Sequence, residues 1–106
     1  MNNKVILVVD EEAEMLRLLE TTLRQHGFVV MKAQSAGLAL HLVQSLTPNL
    51  FVVDGALPEM DGIQLIEALK PVCPHTEIVM ITGYATVSTA VDALKKGAAH
   101  YLSKPI

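Results

Sequence analysis

The feature that most constrains this chain is Val5-Ile6-Leu7-Val8-Val9, five apolar residues without interruption and mostly β-branched. A strand with one face in water alternates apolar and polar residues, so an unbroken run marks a strand covered on both faces. Such strands belong to parallel sheets lying between helices. The run recurs at Leu50-Phe51-Val52-Val53 and in Glu77-Ile78-Val79-Met80-Ile81, and shorter strands are predicted over residues 28–33 and 100–102. Between them the period changes. Met15, Leu16, Leu19 and Leu23 share one face of a helix over residues 12–26, with Arg17, Glu20 and Arg24 opposite and Gly27 as its stop. Ser35 caps a second helix through residue 45, and residues 63–70 form a third that Pro71 and Pro74 stop. In a fourth, over residues 86–96, Val87, Ala90, Val91 and Leu94 recur at helical spacing, and Gly97 closes it. Five strands alternating with four helices predict an α/β fold with a parallel sheet and right-handed crossovers.

The length, 106 residues, suits a single domain over residues 1–106. Eight Lys and Arg against eleven Asp and Glu leave a net charge of −3, which disfavours direct binding of DNA or RNA. Cys73 is the only cysteine, so an internal disulfide is excluded, as suits a reducing compartment. Apolar runs of about five residues fall far short of the ~20 that cross a bilayer, and Met1-Asn2-Asn3-Lys4 leads straight into a strand. The expectation is a small cytoplasmic domain without a membrane segment.

Sites in open parallel sheets form beyond the carboxyl ends of the strands. There the sequence places Asp10-Glu11-Glu12, Asp54, Thr82-Gly83 and Ser103-Lys104-Pro105, after the first, third, fourth and fifth strands. Each has an ordinary reading. Acids in a first helical turn complement the helix dipole, Thr82 ends a strand or caps a helix, and a lone Lys104 is solvated. Asp61-Gly62 reads as a turn and cap, the four histidines lack metal spacing, and nothing activates Cys73. The conjunction in strand order is what points to a site. Carboxylates held together raise one another's pKa unless a cation offsets them, and Mg²⁺ suits a few carboxylates plus water. Asp10, Glu11 and Asp54 supply −3, Lys104 +1 and Mg²⁺ +2, so the loaded site is neutral. A neutralised carboxylate beside a metal, an ammonium and a hydroxyl can accept a phosphoryl group, which makes Asp54 the candidate nucleophile.

Three segments, VILVVDEE (5–12), LFVVDGALPEMDG (50–62) and IVMITGYATVSTAVDALKKGAAHYLSKPI (78–106), together resemble the receiver domains of two-component response regulators. The resemblance runs from Lys4 to Ile106 and implies a flavodoxin-like doubly wound sheet of strand order 2-1-3-4-5. It also implies roles. Asp54 accepts the phosphoryl group, and Asp10, Glu11, Asp54 and the Ala56 backbone carbonyl hold Mg²⁺. Thr82 binds a phosphoryl oxygen, Lys104 pairs with the same group, and Tyr101 swings inward when Thr82 moves. Pro105 follows a cis bond that aims Lys104 into the site. The implied donor is a sensor histidine kinase or phosphotransfer protein, or a small acyl phosphate, and the implied reader is an output domain or target protein. The responding face is expected to include Tyr84, Ser88, Asp92, Lys95, Lys96 and Tyr101. Such a domain phosphorylates and dephosphorylates itself but turns over no metabolite, so it is not an enzyme in the ordinary sense.

Glu11 stands where aspartate is commoner in the family, Gly55-Ala56-Leu57 is small and flexible, and His100 takes a place more often acidic; none removes a required group. The alternative is a receiver-like interaction or dimerisation module that does not use the phosphate, and the intact site set argues against it. A metabolite hydrolase would want a second acid in Asp54-Gly55-Ala56, and Asp10-Glu11-Glu12 would repel a flavin phosphate. Two expectations concern stability. Lys104→Ala should leave the metal-free domain as stable or more so. The family's fifth helix has no counterpart here, so the domain reads as truncated after the fifth strand. One side of the first and fifth strands should then lie uncovered and invite a second copy, an exchanged element or a continuation of the chain.

Overall fold

The computed structural model describes residues 3–104. Strands β1 (Val5–Val9), β2 (Val29–Ala33), β3 (Leu50–Asp54), β4 (Glu77–Thr82) and β5 (His100–Ser103) alternate with helices α1 (Ala13–Gln25), α2 (Ala36–Leu42), α3 (Gly62–Val72) and α4 (Val87–Lys96). Every strand pairing is parallel, in the order β2-β1-β3-β4-β5. The pleat divides each unbroken run between two cores. Leu7, Val9, Phe51, Val53, Ile78 and Met80 pack with Leu65, Ile66 and Leu69 of α3 on one face. Ile6, Val8, Val52 and Ile81 pack with Leu16 of α1 on the other. No helix among the described residues is long and apolar enough to cross a membrane.

Local chemistry sets the helix ends. Ser35 Oγ accepts from the Leu38 N–H at 3.1 Å. Asp61 with Gln64, and Thr86 with Thr89, form reciprocal capping boxes, so Asp61 is the helix cap its sequence context suggests. Gly27 (φ 88°) and Gly97 (φ 126°) take the left-handed conformation that side chains disfavour. The Phe28 N–H then reaches back to Leu23 and that of Ala98 to Ala93, closing α1 and α4.

Three expectations change. Helix α2 ends at Leu42, because the N–H groups of Gln44 and Ser45 bond three residues back and tighten the turn. Helix α3 runs through Pro71 to Val72; the proline lacks one donor, but the Cys73 N–H still reaches Leu69 at 2.8 Å and bridges it. The apolar stripe of α4 faces outward: Val87, Val91 and Leu94 are exposed, and Ala93 is buried against the sheet. Small residues let α4 settle close to its support, so the larger apolar side chains mark the helix but not its buried side.

The expectation of a bare first strand also fails. Ile6 and Val8 are buried, in one cluster with Leu16 of α1. Exposure on that face falls instead on the outer strand, where Leu102 is 47% exposed.

Candidate functional site

Backbone bonds bind the residues at the strand ends to neighbouring strands. The Asp10 N–H donates to Ala33 at 3.1 Å, that of Gly55 to Ile81 at 3.0 Å and that of Lys104 to Thr82 at 2.8 Å. Asp10 and Asp54 are buried, 3% and 5% exposed. Between them comes Lys104, whose Nζ lies 3.0 Å from Asp10 Oδ2, 3.5 Å from Asp54 Oδ1 and 3.3 Å from Glu12 Oε1. The other Asp10 oxygen accepts the Glu12 N–H at 2.9 Å.

Burial, reinforced by the charge of Asp10, pushes the Asp54 carboxyl above its ordinary pKa, while Lys104 and the Ala56 backbone N–H pull it down. For Lys104 burial is the largest single influence and lowers its pKa. The combined pull of Asp10, Asp54 and Glu12 outweighs it and holds the ammonium above the ordinary lysine value.

Two buried carboxylates sharing one ammonium form a donor set that favours a second cation. Carboxylate oxygens of this kind are what a hard divalent cation takes. The trio of Asp10, Glu11 and Asp54 is not preassembled, however. Glu11 is exposed, and among the described residues no three His, Cys, Asp or Glu side chains gather closely enough to hold a metal. Carboxylates without a cation repel, whereas Lys104 draws Asp10 and Asp54 to itself.

Thr82 and Asp54 line neighbouring cavities. Asp54 and Lys104 border one of about 320 Å³ together with Glu11, Glu12 and Gly83. Thr82 borders another of about 210 Å³ with Gly55, Thr89 and Tyr101, and Ala56 and Tyr84 line both. The Thr82 hydroxyl accepts the Tyr84 N–H at 3.2 Å. Glycine at 55 makes this placement possible, since a Cβ there would lie 2.8 Å from Thr82 Cβ. Gly62 is equally confined, with room for no side chain beside the Asp54 carbonyl, 2.5 Å from where its Cβ would stand. Tyr101 is half-buried, its hydroxyl 2.8 Å from Thr89 Oγ1. Tyr84, Ser88, Asp92, Lys95 and Lys96 are all exposed. Pro105, and with it the expectation of a cis bond, lies outside the described residues.

Two contacts escape the sequence reading. Glu12 is visible in the acidic run, but its bond to Lys104 spans 92 residues. Thr89 is legible as half of a capping box with Thr86, whereas its partnership with Tyr101 depends on how α4 docks. Cys73 is buried and its thiol pushed up by that burial, as an inert core residue.

The model of the response regulator receiver domain matches residues 6–106. Regulatory protein AtoC of Escherichia coli (strain K12) is 38% identical over 100 residues, 94% of this chain. The chain spans only 22% of AtoC, about a fifth of that relative's length. Among solved structures, a CheY-like receiver domain protein from Methanospirillum hungatei JF-1 superposes with a TM-score of 0.95 at 33% identity, covering 99% of this chain and 84% of that one. A response regulator from Burkholderia pseudomallei, crystallised with a phosphorylated aspartic acid, a calcium ion and citrate, superposes with a TM-score of 0.93 at 35% identity, covering 98% of this chain and 61% of that one. Strand order, the buried acid pair at the strand ends and these similarities agree: the chain belongs to the response regulator receiver domain family.

Proposed function

We propose that this receiver is a phosphoacceptor switch whose Asp54 takes a phosphoryl group from a sensor histidine kinase or phosphotransfer protein, with Mg²⁺ as its metal. The observation that carries this reading is the buried pair Asp10 and Asp54 bridged by Lys104 at the strand ends. The phosphorylated aspartate and divalent ion of the Burkholderia relative support it. An Asp54 oxygen attacks phosphorus as the bond to the histidine nitrogen, or to the oxygen of an acyl phosphate, breaks. An ionised carboxylate needs no general base, so catalysis rests on alignment and charge. Asp10, Asp54, the Ala56 carbonyl and an inward-turned Glu11 would hold the metal, which supplies charge neutralisation.

The new group adds negative charge and acceptor oxygens. Lys104 leaves the carboxylates for one of them, and Thr82 exchanges the Tyr84 N–H for another. Tyr101 then follows into the space that Thr82 vacates, and α4 with β5 presents an altered face to an output domain or target protein. The greater length of AtoC supports a further domain as reader. As a signalling domain the protein turns over no metabolite, and it acts in the cytoplasm.

Mass spectrometry after treatment with acetyl phosphate and Mg²⁺ tests the reading. One phosphoryl group should appear, and it should be absent from Asp54→Asn and from samples in excess chelator. Equal labelling with chelator overturns it.

A further inference from the structure

Glu12 sits at the N-cap of α1, yet its side chain makes no capping bond. Its carboxylate instead reaches Lys104 Nζ at 3.3 Å. The three partners of Lys104 are not equivalent. Asp10 and Asp54 hold it from the buried side, whereas the Glu12 side chain is 65% exposed against 14% for Lys104. Glu12 therefore stands on the solvent side of the ammonium, on the rim of the cavity that opens over Asp54. A group that reaches Asp54 through this cavity also meets the Lys104 ammonium.

We propose that Glu12 is a positioning residue for phosphoryl transfer, a competing anion that holds Lys104 in the resting site and must release it before Lys104 can pair with the phosphoryl group. The inference rests on the reading of Asp54 as phosphoacceptor. The three N–H donors of Nζ are already shared among Asp10, Asp54 and Glu12, so a phosphoryl oxygen has to displace one of them, and exposed Glu12 is the partner most easily given up. The exposed pair is weak, so its release costs only a small factor in affinity, about two- to fivefold. Glu12 thereby sets the threshold at which the site accepts a dianion, and its own charge adds repulsion at the mouth.

Beryllofluoride, which binds an aspartate carboxylate as a stand-in for the phosphoryl group, is the probe. Wild type, Glu12→Gln and Glu12→Asp are titrated with it in saturating Mg²⁺, and separately with Mg²⁺ alone, while the Lys104 side chain is followed by NMR. The aspartate variant keeps the charge but withdraws the carboxylate by one methylene. Both variants should bind beryllofluoride about two- to fivefold more tightly than wild type and change Mg²⁺ affinity far less. In both, the resting Lys104 signal should move towards its beryllofluoride-bound position. Glu12→Asp behaving as wild type overturns the proposal, since the effect would then belong to net charge and not to the ion pair. Unchanged beryllofluoride affinity in both variants overturns it too. If wild type itself binds no beryllofluoride, the phosphoacceptor reading fails and the proposal with it.

Discussion

Lys104 brings one positive charge to three carboxylates, and that imbalance governs how single residues in the site respond to change. From sequence, removing the lysine looked harmless to the metal-free domain. The ion pairs reverse that sign, because Lys104→Ala leaves two buried carboxylates without their cation. Stability should fall by roughly 3 kcal/mol in urea unfolding without metal, and added Mg²⁺ should restore part of it. Mg²⁺ affinity itself should survive the substitution while phosphorylation drops. Asp54 gives the complementary case. Its folded pKa stands above the ordinary 3.8, so the folded state binds this proton more tightly than the unfolded chain. Its contribution is therefore most favourable below the ordinary value and is lost as pH rises through the raised one. Asp54→Asn should be more stable than wild type at neutral pH, and thermal unfolding should show the gap closing towards pH 3. A gap that widens on acidification would contradict the assigned direction.

Among the elements, α4 and the β3–α3 loop carry the mechanical questions. The loop closes through the Gly62 N–H to the Gly55 carbonyl at 3.0 Å, with Thr82 packed where a side chain at 55 would be. Gly55→Ala should displace Thr82 and break its bond to the Tyr84 N–H, at a cost of about 1–3 kcal/mol for the overpacking. A shifted Thr82 methyl signal together with faster exchange of the Tyr84 amide would report it. Tyr101 touches α4 at Thr89, inside the Thr86–Thr89 capping box. Movement of the tyrosine is thus felt at the first turn of that helix. Tyr101→Phe removes one hydrogen bond, worth about 0.5–1.5 kcal/mol. Hydrogen exchange should quicken in the first turn of α4 and stay unchanged in α1.

For the whole molecule, the Cα radius of gyration of 12.6 Å matches the ~13 Å typical of a compact domain of this length. The four helices among the described residues pack against both faces of the sheet. Apolar side chains that stay in water include Leu102 on β5, on the α1 face of the sheet, and Val87, Val91 and Leu94 on α4, on the opposite face. A burial worth ~1.5–3 kcal/mol for each large side chain favours covering them. Light scattering over a range of concentrations should show self-association that Leu102→Asp weakens. A monomer at every concentration would show that Leu102 needs no cover.

The order of elements was legible because unbroken β-branched runs, cap residues and turn glycines act within a few positions of themselves. Val5–Val9 announces a strand buried on both faces, and Asp61 and Thr86 announce helix starts, wherever the rest of the chain lies. That Asp10, Asp54, Thr82 and Lys104 come to one edge was legible for a related reason, since a parallel sheet carries its strand ends there. Pairings across that edge were not. Lys104 meets Glu12 only once β1 and β5 stand in one sheet, and of the two exposed acids Glu11 and Glu12 it is Glu12 that reaches the lysine. The buried side of α4 was likewise decided by docking, where Ala93 fits against the core and the larger Val91 does not face it. Local sequence sets what each segment becomes, through interactions a few residues long. Which charges meet and which helix face is covered follow from contacts tens of residues apart, and those exist only in the folded chain.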